Sequence, residues 1–240
     1  RKYRTGENPA RWKGHLEQLL PKPKSLQKVV HHAALPIAEM PAFMAKLRSA
    51  DYVSARALEF AILTAARSGE VRGARWSEID FEKAVWTIPA ERMKAGREHR
   101  VPLTESAIRI LRTQPHRTES DLVFSALRGK QLSDMSLSEV MRRMQIKAVP
   151  HGFRSTFRDW VSESTNYPRD LAEQALAHAL ESKVEAAYRR GDALEKRRPL
   201  MSDWATFCNG ADEQKQPRSM VEMLNSAKFG PTGRRGRLGG

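Results

Sequence analysis

Leu63-Thr64-Ala65-Ala66-Arg67-Ser68-Gly69-Glu70-Val71 ends an apolar run and begins a charged one. Upstream, Tyr52 to Ala66 carries Val53, Ala57, Leu58, Phe60, Ala61 and Leu63 at helical spacing, which predicts a helix with a broad buried stripe. Gly69 supplies the freedom for a sharp turn after it. Arg67 is therefore expected at a helix end, with its guanidinium aimed outward. Ile37 to Leu47 repeats the helical spacing and predicts a second helix ahead of the first.

Downstream the period changes. Trp76 to Asp80, Ala84 to Pro89 and Arg97 to Leu103 alternate as strands do, with Lys94-Ala95-Gly96 as the turn between the last two. Helical spacing returns at Thr104 to Arg112, Ser133 to Lys147, Phe153 to Glu163, Pro168 to Ala179, Ser182 to Arg189 and Ala193 to Phe207. Pro168 suits a helix first turn. The expected fold class is mainly α with a small antiparallel β-sheet, an α+β arrangement. Trp160 and Trp204 are expected to pack on apolar faces rather than serve as stacking platforms.

The two ends read differently from this body. The chain opens on Arg1 rather than Met, and residues 1–20 read as the end of something longer. In the linker, residues 21–34, prolines prevent continuous helix and lysines keep the segment solvated. Residues 35–208 form the main domain. Residues 209–240 lose hydrophobic periodicity and are expected to be a mobile basic tail.

The 42 Lys+Arg against 28 Asp+Glu give a formal charge of +14 over 240 residues, which favours a polyanionic partner, nucleic acid first. A hydrophobic content of 40% suffices for a packed core and excludes a disordered chain. No segment approaches the ~20 apolar residues of a membrane span, and no secretory signal is visible. The single cysteine, Cys208, excludes an internal disulfide and offers no paired-cysteine metal spacing. A reducing cytoplasm is the expected compartment, with no membrane partner.

The candidate chemistry lies in four places: Arg67, the His151-Gly152-Phe153-Arg154 box, His178 within Leu176-Ala177-His178-Ala179-Leu180, and Tyr188 within Ala186-Ala187-Tyr188-Arg189-Arg190. A tyrosine hydroxyl titrates near pH ~10. It serves as a nucleophile only where cationic and imidazole groups stabilise its anion and the charge on its target. His151 and Arg154 are spaced to share a helical face and converge on one anion. Two planar guanidiniums, Arg67 and Arg154, can grip non-bridging phosphate oxygens through paired N–H donors, a geometry lysine does not reproduce. The predicted substrate is a phosphodiester. Each residue also has an ordinary structural reading: Tyr188 as a core residue, Arg67 as a cation on a helix dipole, Arg154 as a surface ion pair with Asp159 or Glu163, and His151 as a capping residue.

In this order and spacing, the residues resemble the tyrosine recombinases, specifically the integrases of phages and genomic islands, from about Leu35 to Phe207. The family carries an arginine in a Thr-x-x-Arg-x-x-Glu context, a hairpin lysine, a His-x-x-Arg box, a later His or Trp, and a C-terminal tyrosine. Arg67, Lys94, His151 with Arg154, His178 and Tyr188 match those positions, and Ala177 stands where a glycine is common before the histidine.

The resemblance implies a site-specific DNA recombinase that forms a covalent 3′-phosphotyrosine and needs no cofactor and no metal. Tyr188 is then the nucleophile, Arg67 and Arg154 hold the non-bridging oxygens, and His178 donates to the same phosphate. His151 accepts or shuttles the tyrosine proton, and Lys94 is the candidate acid for the leaving 5′-oxygen, with Arg92, Arg97 and Arg100 nearby. Glu70 orients the Arg67 region, because a carboxylate beside phosphate would be repelled. Arg72, Arg75, Arg142, Arg143, Lys147, Arg189, Arg190, Arg197 and Arg198 are candidates to grip the DNA backbone.

The implied partners are double-stranded DNA at attachment sites, three further copies of the chain in a synaptic homotetramer, and accessory DNA-bending or directionality proteins. The setting is a bacterial cytoplasm, associated with the nucleoid. Residues 1–20 become the C-terminal remnant of a core-binding domain. Two alternatives stay open: a type IB topoisomerase-like strand transferase, and a DNA-binding regulator of the same fold without catalysis.

Overall fold

The computed structural model describes residues 8, 10–20, 32–178 and 192–210. Most of the linker, the helix expected at Ser182 to Arg189 with Tyr188, Arg189 and Arg190, and the tail beyond residue 210 lie outside the described residues. The chain divides into two units, Arg1–Ala33 and Ala34–Gly240. In the first, helical turns cover Trp12–Leu16 and Glu17–Leu19, bent where Gly14 takes φ +84°.

The second unit is mainly helical. After a 3-10 turn at Ile37–Glu39, α1 spans Met40–Arg48 and α2 spans Val53–Thr64. Every residue of α2 from Ala57 to Thr64 is buried. The expected stripe has thus become a whole circumference, the pattern of a helix at the centre of a domain. The one acid in that stretch, Glu59, is held by Arg48 at 3.0 Å and Arg56 at 2.7 Å, which offsets the cost of burying its charge.

Three strands form an antiparallel sheet in the order β1 (Ile79–Asp80), β2 (Val85–Ile88), β3 (His99–Pro102), with Trp86 opposite both Ile79 and Val101. The first strand is shorter than its alternation predicts, because Trp76–Glu78 turns into a 3-10 helix. There the Glu78 carboxylate accepts from the Arg75 backbone N–H, the Trp86 indole and Arg92. Trp86 is fully buried and packs on Phe60 of α2, with ring centroids 5.4 Å apart.

Six further helices complete the described part of the unit: α3 (Ser68–Arg72), α4 (Glu105–Thr113), α5 (Ser136–Arg143), α6 (Gly152–Ser164), α7 (Arg169–Ala175) and α8 (Leu194–Asn209). Thr104 caps α4, its hydroxyl accepting from the Ala107 N–H. Pro168 sits one place earlier than expected, as the extended residue before α7 rather than in its first turn. Trp160 and Trp204 pack as predicted: both are buried, and the Trp204 indole donates to the Ile62 carbonyl at 2.8 Å. Among the described residues no helix is long and apolar enough to cross a membrane.

The helix ends that matter for the site are not made by glycine. Ala65, at φ +51°, closes α2 with paired bonds from Ala66 N to Ala61 O (3.1 Å) and Ala65 N to Ile62 O (3.2 Å). Ala177, at φ +48°, closes α7 in the same way, with His178 N on Glu173 O and Ala177 N on Gln174 O, both 3.0 Å. This is the paired closure that usually takes glycine at its left-handed position. Gly69, expected to make the sharp turn, lies inside α3, where an added Cβ meets nothing within 4 Å.

Candidate active site

The C-terminal end of α7 gathers donors from three other elements. A helix ends with carbonyls that have no partner within the helix and with a partial negative charge. Here the His99 imidazole of β3 faces the Ala175 carbonyl. Arg154 of α6 donates to the Leu176 carbonyl at 2.5 Å, and Arg67, the residue before α3, reaches Leu176 O at 3.4 Å and Ala177 O at 3.3 Å. Arg154 also donates to Ala65 O, so one guanidinium spans the left-handed closures of both α2 and α7.

These positions revise two expectations. Arg67 turns inward toward α7, and its side chain is 21% exposed. Arg154 is buried and forms no surface pair with Asp159 or Glu163; its Nε has no hydrogen-bond partner among the described residues. Burial, and next the charge of Arg67, push the Arg154 guanidinium down to about 10, which leaves it cationic at neutral pH.

Glu70 takes the orienting position expected of it. One carboxylate oxygen accepts from the Arg67 backbone N–H at 2.8 Å and the other from Arg67 Nη1 at 2.7 Å. Arg92 donates to the Glu70 carbonyl and pairs with Glu78, so this hairpin arginine is committed to structure.

His178 lies between a carboxylate and a guanidinium. Its Nδ1 is 2.5 Å from Glu173 Oε2 and its Nε2 is 3.2 Å from Arg154 Nη2. His151 precedes the first turn of α6, exposed, and its side chain makes no capping hydrogen bond. Lys94 is exposed in the turn between β2 and β3, where Gly96 N closes on Met93 O at 2.9 Å. Arg67, Arg154 and His178 are therefore brought together. Lys94 and His151 hold exposed positions, and Tyr188 lies outside the described residues.

Two supporting residues escaped the sequence reading. Glu173 stands five places before His178, a separation that shares no helical face; the α7 closure brings the two together. His99 reads as an ordinary strand residue, yet burial, and next Arg197, push its imidazole down to about 4. One reading is corrected: Arg197 is fully buried against Asp192 and is not placed to grip DNA. Asp192, four residues after Tyr188, also accepts two 2.8 Å bonds from Arg100 and so ties β3 to the segment that leads into α8. Arg142 and Arg143 both pair with Glu139 while staying exposed.

The model of the phage integrase family matches residues 34–195. The chain belongs to this family. It is 36% identical over 181 residues to prophage integrase IntA of Escherichia coli (strain K12), covering 72% of this chain and 44% of that one. It is 33% identical over 206 residues to the integrase of Enterobacteria phage P4, covering 76% and 47%. The chain thus spans about half the length of the curated relatives it matches. Among solved structures, it resembles the integrase from mycobacterium phage Brujita, with a TM-score of 0.57 at 15% identity over 87% of this chain and 67% of that one. A lambda integrase tetramer bound to a Holliday junction gives 0.50 at 19% identity over 65% and 50%. At these identities the structural likeness concerns the integrase fold alone.

Proposed function

We propose that this chain carries the catalytic domain of a site-specific DNA recombinase, which cleaves and rejoins duplex DNA through a 3′-phosphotyrosine on Tyr188. One observation carries the reading: Arg67 and Arg154, from separate elements, meet on the Leu176 carbonyl beside His178. Two like charges so placed repel each other, and a phosphate between them would relieve the repulsion while taking their remaining N–H donors. As phosphorus becomes five-coordinate, the same donors would neutralise the added charge. Lys94 would protonate the leaving 5′-oxygen, and His151 would accept the tyrosine proton. The covalent bond keeps the phosphodiester energy, so the reaction needs no nucleotide, no other cofactor and no metal.

The two described tyrosines, Tyr52 and Tyr167, are both engaged by charged neighbours. Tyr52 lies beneath Arg143, whose guanidinium carbon is 5.7 Å from the ring centroid. The Tyr167 hydroxyl donates to Asp203 at 2.7 Å, and that bond, with burial second, pushes it up to about 12. The partners in this reading are attachment-site DNA, three further protomers, and accessory DNA-bending or directionality proteins, in a bacterial cytoplasm at the nucleoid. Residues 1–20 are the remnant of a core-binding domain, 21–34 the linker, 35–208 the catalytic domain and 209–240 a basic tail.

A nicked suicide substrate tests the reading. The parent chain should give a covalent adduct on a denaturing gel, and Tyr188→Phe should bind DNA without forming one. An adduct that persists in Tyr188→Phe would falsify the assignment. Paired attachment sites should yield four-way junctions, whereas supercoil relaxation without junctions would indicate a topoisomerase.

A further inference from the structure

We infer that Glu173 is a positioning residue for strand transfer, fixing the ring and tautomer of His178 so that its Nε2 is presented to the scissile phosphate. The inference rests on the proposed phosphotyrosine chemistry and adds to it a residue that neither the sequence motifs nor the family resemblance includes.

The hydrogen bonds assign the tautomer. A guanidinium only donates, so His178 Nε2 is the acceptor in its 3.2 Å contact with Arg154. The ring proton therefore resides on Nδ1 and is donated to Glu173 Oε2 at 2.5 Å. The opposite tautomer would set donor against donor on one side and acceptor against carboxylate on the other. When a phosphate takes up Arg154, Nε2 is released. To donate to a phosphate oxygen it must accept a second proton from water, while Nδ1–H stays on Glu173. The carboxylate then faces an imidazolium, as the carboxylate behind a catalytic histidine does in acyl-transfer triads.

The backbone explains why these two side chains meet. In the closure of α7, the His178 N–H bonds the Glu173 carbonyl, and Ala177 between them is left-handed. That motif sets the residue two past the helix end against the residue three places before it, a contact usually apolar and here polar. The second carboxylate oxygen, Oε1, is buried with no hydrogen-bond partner among the described residues, and Arg158 and Arg169 stand 3.9 Å away. Those two arginines balance the charge from a distance and leave Oε2 to His178.

The test compares the parent chain, Glu173→Gln, His178→Ala and the double variant in single-turnover cleavage of a suicide substrate at saturating DNA. Glutamine keeps the size and an acceptor oxygen but removes the charge. Glu173→Gln should slow adduct formation by about 10-fold to 100-fold, below the roughly 10²-fold to 10⁴-fold span of an acid-base group itself, with DNA affinity and Tm unchanged. The double variant should be no slower than His178→Ala. A slowing that multiplies with that of His178→Ala, or that follows a fall in Tm, overturns the inference.

Imidazole 15N spectra of the DNA-free protein decide the geometry without any activity. The Nδ1–H tautomer of His178 is expected, and the Nε2–H tautomer contradicts the inference. If the parent forms no adduct, the proposed function fails, while these spectra still judge Glu173.

Discussion

Arg154 is the residue on which the site turns, since it reaches the ends of two helices and the ring of His178 from a buried position. A second buried base, His99, must stay neutral beside Arg197 and Arg154. An imidazole whose folded pKa lies below its ordinary 6.5 binds fewer protons folded than unfolded. Its contribution to stability is complete above about 6.5 and is lost as the pH falls toward about 4. A shift of that size corresponds to about 3 kcal/mol across the window. Thermal melts should show the parent losing more stability than His99→Asn between those pH values; parallel curves would exclude His99 as the cause. Lys94 makes a separate prediction. Its replacement by alanine should slow cleavage by roughly 10²-fold to 10⁴-fold if it acts as the acid. A substrate with sulfur at the bridging 5′ position should restore the rate, since a thiolate leaves without a proton. An equally slow reaction on that substrate would make Lys94 a phosphate contact only.

At the scale of elements, periodicity revealed the central helix, the hairpin and most later helices, because burial imposes it directly. α2 and the strands around Trp86 lie close to where apolar spacing puts them. The helix ends were less legible. Ala65 and Ala177 take left-handed positions without the glycine that normally signals them, so the sequence points to Gly69 for the turn and to an outward-facing Arg67. Glu173 was hidden for the same reason, as only that closure brings it to His178. His99 and Arg197 depend on contacts between β3, α7 and α8, which no local pattern records. Left-handed alanine costs about 1–2 kcal/mol, and the greater freedom of glycine in the unfolded chain returns part of it. Ala65→Gly and Ala177→Gly should each raise stability by roughly 0.5–1 kcal/mol. Urea titration measures this, and a loss of stability in both would mean that the methyl groups pack better than the backbone is strained.

For the whole molecule, the +14 formal charge should act through DNA phosphates, with binding that weakens at a slope of about −0.9 in log affinity per log salt for each contact. The residues free to contribute are fewer than the sequence suggests, since Arg197 is buried and Arg72 donates to the Leu132 carbonyl. Anisotropy across a salt series should show steep dependence with little preference between attachment-site and random duplex. Joining a core-binding domain ahead of residues 1–20 should add both affinity and discrimination as base contacts join backbone contacts; equal specificity in both forms would mean that this domain reads its site unaided.

In the proposed reaction, two converging arginines and a histidine prepare a phosphodiester for attack by Tyr188. The most direct measurement is peptide mapping by mass spectrometry of the protein-DNA adduct trapped on a suicide substrate. The expected product is a nucleotide joined through its 3′-phosphate to the peptide containing Tyr188, formed at an undiminished rate in excess chelator. A nucleotide on any other residue, or cleavage without an adduct that magnesium restores after chelation, would contradict it.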